Sequence, residues 1–332
     1  MEGKINSMLK LKHLFSNFDL AKEALRNWEH NLDGLDEMLG QYRISANAVY
    51  PFYSGTDVCF LRLAPVDEKR KENIIGELEF IEYLVGAGFP ALKPIASKTG
   101  KTVLELTTQW GDYYATAFKC VKGISIEWTD KSDEVMYNYG KTLGRLHALS
   151  AEYKAVTKKW AHTEVLQWIE GVLREYSAPE FAFSELTRIT NQLIQLPQNN
   201  DNYGLVHYDF EFDNVFYDEN SKLCSIIDFD DGMYHWYALD IVQVFHCIED
   251  ELDDKARQQA KDEFLRGYQT EHCYTEEMRL SSPLMSRFIN LYGYARLIRC
   301  VAQRFDDEPQ WMTELRVKLD EFIQNKASRM TQ

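Results

Sequence analysis

Apolar positions repeat with one period in the first part of the chain and with another in the second. Leu20, Ala24, Leu25 and Trp28 fall on one face of a helix over about 18–30, with Ser16 or Asp19 as caps, and Asp33-Gly34 ends it. Strand-type runs follow, Arg43 to Tyr53 and Val58 to Leu63. The turn residues Ser54-Gly55-Thr56-Asp57 between them predict a hairpin. A helix over about 71–86, closed by Gly86 and Gly88, precedes three strand-like pieces at 93–97, 101–107 and 113–120.

Beyond Val121-Lys122-Gly123 the helical period takes over. It covers 133–149, most of 162–195, and the chain from about 238 onward, with segments near 255–270, 283–303 and 308–325. A compact β segment at about 203–230 interrupts it. The pattern predicts an α+β chain in two parts: 1–120, β-rich with one long helix, and 121–332, mostly helical, joined near 118–123. A length of 332 residues fits two such units.

Charge separates the same two parts. The chain carries 37 Lys+Arg against 52 Asp+Glu, a net of −15. Residues 1–120 hold 16 acids and 14 bases, so almost all of the excess lies in the remainder. Acidic runs such as Glu249-Asp250-Glu251 read as solvated helix faces. A chain this acidic lacks the clustered cations that grip a phosphate backbone, so nucleic acid is not expected as a partner. No apolar run approaches the roughly 20 residues that span a bilayer, so no membrane role is expected. Lysines interrupt the opening MEGKINSMLKLKHLF, which lacks the apolar core of a signal peptide. The six cysteines, without metal-type spacing, read as reduced thiols of a cytoplasmic protein.

The candidate chemistry lies in the β segment. Leu205-Val206-His207-Tyr208-Asp209 leads through Asn214 into an apolar strand, Val215–Tyr217. A polar turn at 218–222 and a second strand, Leu223–Ile227, then end at Asp228. Folding that hairpin makes Asn214 and Asp228 neighbours, with Asp209 five residues before Asn214 at the same end. Two carboxylates and an amide oxygen are hard ligands suited to Mg²⁺, which fills its remaining positions with water and phosphate oxygens.

This arrangement resembles the catalytic and metal loops of the aminoglycoside phosphotransferase/choline kinase superfamily, small-molecule kinases with a bilobal protein-kinase-like fold. The likeness continues in Phe60-Leu61-Arg62-Leu63, in Gly76-Glu77-Leu78, in the hinge-like Phe118-Lys119-Cys120-Val121, and in Gly140-Lys141-Thr142-Leu143-Gly144-Arg145-Leu146-His147. The resemblance implies ATP and Mg²⁺, with GTP as the alternative nucleotide, and transfer to an alcohol such as an aminoglycoside, choline, homoserine or a sugar. It implies Asp209 as the catalytic base and Asn214 and Asp228 as metal ligands. Arg62, held by Glu77, would bind nucleotide phosphates. Lys119 and Val121 would read the adenine edge between Phe118, Phe216 and Ile227, and His207 and Asp240 would brace the loop.

The sequence departs from the family pattern in places. Arg62 replaces the usual Lys, Ser45–Tyr50 has no glycine, and Phe229-Asp230 follows the metal Asp. These departures leave a non-catalytic nucleotide-binding regulator as the alternative, with a metal-assisted phosphoester hydrolase as a third reading. For the acceptor pocket the candidates are Glu211, Asp231, Tyr234 and Trp236, whose mixture of acids and aromatics favours a cationic acceptor. Tyr292, Tyr294 and Arg296 are further residues that could face the cleft, though their helical spacing suits core packing equally.

Overall fold

The computed structural model describes residues 10–331. The lysine-interrupted opening therefore lies mostly outside the described residues. A single 3-10 turn (Leu11–His13) precedes α1 (Phe18–Leu25) and α2 (Leu35–Leu39). Strands β1 (Arg43–Ile44), β2 (Ala48–Ser54) and β3 (Asp57–Pro65) lead into helix α3 (Lys71–Gly86). Strands β4 (Lys93–Pro94), β5 (Val103–Thr108) and β6 (Gly111–Lys119) complete an antiparallel sheet ordered β1-β2-β3-β6-β4, with β5 also on β6.

The sheet is covered on both faces. Leu20, Leu25, Trp28 and Leu39 close one core against Phe52, Leu61, Leu63 and Ala117. Ile74, Leu78 and Ile81 of α3 instead join the large core of the helical lobe, so the first lobe's long helix is packed as part of the second.

The chain leaves β6 through residues 120–123 and forms β7 (Ile124–Ser125) and then α4 (Asp133–Glu152), α5 (His162–Glu175) and α6 (Glu180–Leu193). Strands β8 (Tyr203–Val206), β9 (Val215–Asp218), β10 (Leu223–Ile226) and β11 (Met233–Trp236) follow. Four helices end the fold: α7 (Ala238–Glu251), α8 (Asp254–Tyr268), α9 (Glu276–Val301) and α10 (Gln310–Thr331). The predicted hairpin is β9–β10, paired from Asp218↔Leu223 to Val215↔Ile226. β7 adds to its other edge. Gly123, at φ +95°, makes that entry: a Cβ there would lie 2.4 Å from the Tyr217 carbonyl oxygen. The link between α4 and α8 is equally tight, since a Cβ on Gly140 would meet the Phe264 carbonyl oxygen at 1.8 Å.

Several elements differ from the sequence expectation. The first helix stops at Leu25, and its cap is Asn17, whose side chain accepts from the Leu20 N–H, rather than Ser16 or Asp19. Trp28 is buried just beyond that helix and donates to the Ile95 carbonyl. The span 162–195 is two helices, divided where Ser177 takes φ +50° and Pro179 precedes α6. Residues 233–236 are a strand paired with β8 rather than an open loop. All six cysteines are free thiols, and among the described residues no helix is long and apolar enough to cross a membrane.

His162 illustrates how this core responds to acid. Burial pushes its imidazole from 6.5 down to about 4, while its Nδ1 meets the Tyr203 hydroxyl at 2.8 Å. The unfolded chain therefore binds this proton first. The contribution is complete above pH 6.5 and is lost as pH falls toward 4, on the order of 2 kcal/mol after allowance for partial exposure. Urea midpoints measured at pH ~7.5 and ~5 are expected to fall with acidification, and less steeply in His162→Gln. Equal slopes in the two proteins would refute the assignment.

Candidate active site

The loop after β8 is held by one buried carboxylate. Asp240, fully buried at the start of α7, accepts the backbone N–H of His207 through Oδ2 and that of Tyr208 through Oδ1, both at 2.8 Å. His147 of α4 meets Oδ2 at 3.1 Å. Tyr208 is thereby kept at φ +64°, a conformation that a bulky residue adopts only when its surroundings over-determine it. Gln243, one helical turn past Asp240, donates to the Tyr208 carbonyl at 2.5 Å and fixes the other side of the peptide.

His207 ties this loop to the hairpin. Its Nδ1 accepts the Asp209 N–H at 3.2 Å, which leaves Nε2–H to donate to the Ile227 carbonyl at 2.9 Å. Burial lowers its pKa and keeps the ring neutral, as this donor–acceptor pattern requires. One imidazole thus sets the spacing between Asp209 and the residue before Asp228. His207 and Asp240 thus lie in one hydrogen-bond chain that runs from α7 through the loop to the hairpin.

Asn214 lies against Asp209, its Nδ2 donating to Asp209 Oδ2 at 2.8 Å and to the Asp209 carbonyl at 3.0 Å. Its backbone carbonyl accepts the Ile227 N–H at 3.0 Å, which brings Asp228 to the same end of the hairpin. With the amide nitrogen committed, Oδ1 is left for a cation. That oxygen and the Asp228 carboxylate form a hard donor set of the kind Mg²⁺ takes. Asp228 sits at φ +63°, and its carboxyl is pushed up to about 7, by burial first and then by Asp230, against the pull of Arg62. Burial, then Glu211, Asp231 and Asp228, raise Asp209 well above the usual carboxylate range. Acids crowded in this way call for a compensating cation.

Arg62 and Glu77 form a two-bond fork, Nη1–Oε1 at 2.8 Å and Nη2–Oε2 at 2.7 Å, with both residues buried. Arg62 Nε donates to Thr116 on the neighbouring strand at 3.2 Å, and the guanidinium lies 5.0 Å from the Phe118 ring centroid. Phe216 and Ile227 are half-buried on the hairpin side, and Val121 is half-buried in the hinge. The Lys119 side chain turns away to Asp57 at 2.6 Å, and the residue stands opposite Lys93 of β4 in the sheet. Next to it, the Cys120 N–H donates to the Val58 carbonyl.

The acceptor-side candidates separate. Trp236 is buried and donates to the Pro197 carbonyl at 2.9 Å, packed between His162 and Tyr203, so it belongs to the core and not to the cleft. Tyr234 packs under Lys158, and its backbone N–H reaches the Trp160 carbonyl. Tyr294 is buried beside Phe181. Glu211 is buried close enough to Asp209 to raise its pKa. Asp231 binds Arg296 at 2.7 Å, and Asp230 takes Lys69 and, at 3.0 Å, the Asn47 amide. Burial opposes ionisation of Asp230, but Lys69, Arg62 and Lys159 outweigh it and hold the carboxyl well below the usual range. These acids are spent on protein cations, which removes the ground for expecting them to draw in a cationic acceptor.

Four residues of the site escaped the sequence reading. Lys69 sits in the charged run before α3, which reads only as a helix leader. Lys159 donates to the Phe229 and Asp230 carbonyls at 2.9 and 2.8 Å from a linker of no distinctive pattern. Asn47 lies in the glycine-free turn between β1 and β2. Gln243 did carry a signal, the i, i+3 spacing from Asp240 on one helical face.

A β-sheet lobe and a helical lobe meeting at the Asp209 loop and the end of the β9–β10 hairpin have the protein-kinase-like fold of small-molecule phosphotransferases. The chain belongs to the phosphotransferase enzyme family, whose model matches residues 46–276. It is 26% identical over 298 residues to the amicoumacin kinase of Bacillus subtilis (strain 168), covering 85% of this chain and 86% of that one. Among solved structures it is similar to an amicoumacin kinase in complex with AMP-PNP, Ca²⁺ and Ami, with a TM-score of 0.75, 21% identity and 95% of each chain covered. It is also similar to a microcompartment-associated aminopropanol kinase, at TM-score 0.69 and 16% identity, covering 95% of this chain and 97% of that one.

The Arg62–Glu77 fork yields a stability prediction. Glu77→Gln leaves one accepting oxygen but removes the charge and turns a donor NH2 toward the buried Arg62 guanidinium, and it is expected to cost about 3 kcal/mol. Denaturant unfolding checks this, and a loss below ~1 kcal/mol would show that Arg62 finds another partner or reaches water.

Proposed function

We propose that this kinase transfers the γ-phosphoryl group of ATP to a hydroxyl of a small molecule, with Asp209 as the base. The observation that carries the reading is the convergence of Asp209 and Asn214 at 2.8 Å with Asp228, tied to them through His207 and the hairpin. Phosphoryl transfer asks a protein chiefly to position groups and neutralise charge. The acceptor oxygen forms a bond to γ-phosphorus as the bond to the β-phosphate bridging oxygen breaks. Asp209 takes the hydroxyl proton and ADP departs.

Asn214 and Asp228 would hold Mg²⁺, which when bound supplies positive charge to the phosphate oxygens. Arg62, kept in place by Glu77 and Thr116, presents its remaining guanidinium surface to the α- and β-phosphates. Phe118, Phe216 and Ile227 wall the base, with the Lys119 and Val121 backbone at its edge. Free thiols throughout fit a cytoplasmic setting. The acceptor comes from the alcohols this family serves, and the amicoumacin and aminopropanol of the similar proteins belong in the first panel.

Asp209→Asn preserves the shape and the Asn214 contact but removes the base. Its kcat in a Mg-ATP assay with a productive acceptor is expected to fall about 10³-fold, with ATP affinity held within threefold. Turnover that survives at the wild-type rate would sink the reading.

A further inference from the structure

We propose that the acceptor docks a carboxylate or carboxamide oxygen against Arg296 and Trp160, in the cavity beside Asp231; this rests on the kinase reading above. The cavity, of about 140 Å³, lies between the loop before α3 and the helical lobe. Its wall includes Lys69, Arg70, Trp160, Asp231, Tyr292 and Arg296. It adjoins the chemistry through Asp231, three residues past Asp228, and through Tyr292, whose ring centroid is 5.2 Å from that of Tyr208.

The charge of the wall argues against an ammonium guest. Asp231 is bound by Arg296 at 2.7 Å, Asp230 by Lys69, and Glu68 by Arg299 at 2.7 Å. The lining cations Lys69, Arg70, Arg296 and Arg299 outnumber the acids Glu68, Asp230 and Asp231, so no lining carboxylate is left over to pair with a positive ligand. Two buried nitrogens on the wall, Arg296 Nη1 and Trp160 Nε1, have no acceptor in the protein. Arginine and indole N–H groups only donate, so what complements them is oxygen. The Trp160 ring is held under the Arg70 guanidinium at 5.5 Å, and Arg296 lies 5.1 Å from the Tyr292 centroid. Both donors are therefore carried on side chains that packing fixes. An acceptor whose oxygen meets these donors would sit beside Tyr292, which packs on Tyr208, the residue before Asp209.

The test uses the full chain and three matched probes: γ-hydroxybutyrate, its carboxamide, and the amino alcohol of similar length. Mg-ATP consumption is expected to give kcat/KM at least tenfold higher for the two oxygenated probes than for the amino alcohol, and the ratio between those two tells carboxylate from amide. Trp160→Phe deletes only the N–H and is expected to raise their KM several-fold while the KM for ATP stays put. Arg296→Gln is expected to raise it tenfold or more. Thermal-shift protection by each probe is read in parallel. Protection by an oxygenated probe that vanishes in Trp160→Phe supports the site even if no probe consumes ATP, and the kinase reading is judged separately by the Asp209→Asn comparison with a productive acceptor. Preference for the amino alcohol, protection by none of the probes, or a Trp160→Phe protein with unchanged KM and protection overturns the proposal.

Discussion

Asp240 is the carboxylate on which the site depends. It has no exposure, and its two oxygens are taken by consecutive backbone N–H groups at the entrance to the catalytic loop and by His147. A buried carboxylate is costly unless such donors surround it. Here the donors belong to the loop that needs shaping, so satisfying the charge and bending the chain are one event. Tyr208 takes its left-handed conformation because Asp240 holds one side of it and Gln243 the other. Asp209 is presented as a consequence, and His207 passes the same constraint to the hairpin end that carries Asp228. The Tyr139 hydroxyl donates to the Phe210 carbonyl with the two rings stacked 4.9 Å apart, which secures the far side of the loop from α4.

A second constraint is electrostatic. Asp209, Asp228, Asp230, Asp231 and Glu211 are concentrated in one short stretch, and the structure assigns them different roles through their partners. Lys69, Arg62 and Lys159 hold the Asp230 carboxyl low, and Asp231 is paired with Arg296. Asp209 and Asp228, half-buried and with fewer cations against them, are pushed upward. Neighbouring acids thus carry opposite shifts according to whether a protein cation sits against them. The overall charge of −15 therefore says little about the ligand, because Asp230 and Asp231 beside the site are already paired with protein cations.

The sequence was most legible where function and local geometry coincide. His207, Asp209 and Asn214 lie within eight consecutive positions, and the hairpin that returns to Asp228 has a polar turn and two apolar strands, so spacing alone brings them together. Arg62 and Glu77 were paired only through the family resemblance; their spacing on a strand and the next helix does not by itself announce an ion pair. The residues that complete the cleft were not readable. Lys69 meets Asp230 across 161 positions and Arg296 meets Asp231 across 65, and no period in either segment encodes those meetings. Trp236 misled for a related reason. Beside the metal loop it reads as a cleft aromatic, but pairing of Met233–Trp236 with β8 turns it into the core.

The two lobes are joined unequally at the front and the back of the cleft. At the back, the Leu92 N–H donates to the Ile226 carbonyl of the hairpin, and the Ile226 N–H donates to the Pro90 carbonyl. At the front the connections are side-chain pairs, such as Arg43 with Asp213 and Lys69 with Asp230. Backbone bonds resist shear, whereas a partly exposed pair such as Arg43–Asp213 exchanges partners at little cost. With α3 packed into the helical core as well, the first lobe is anchored to the second by its helix and by the hairpin, and the rest of its sheet is held by side chains.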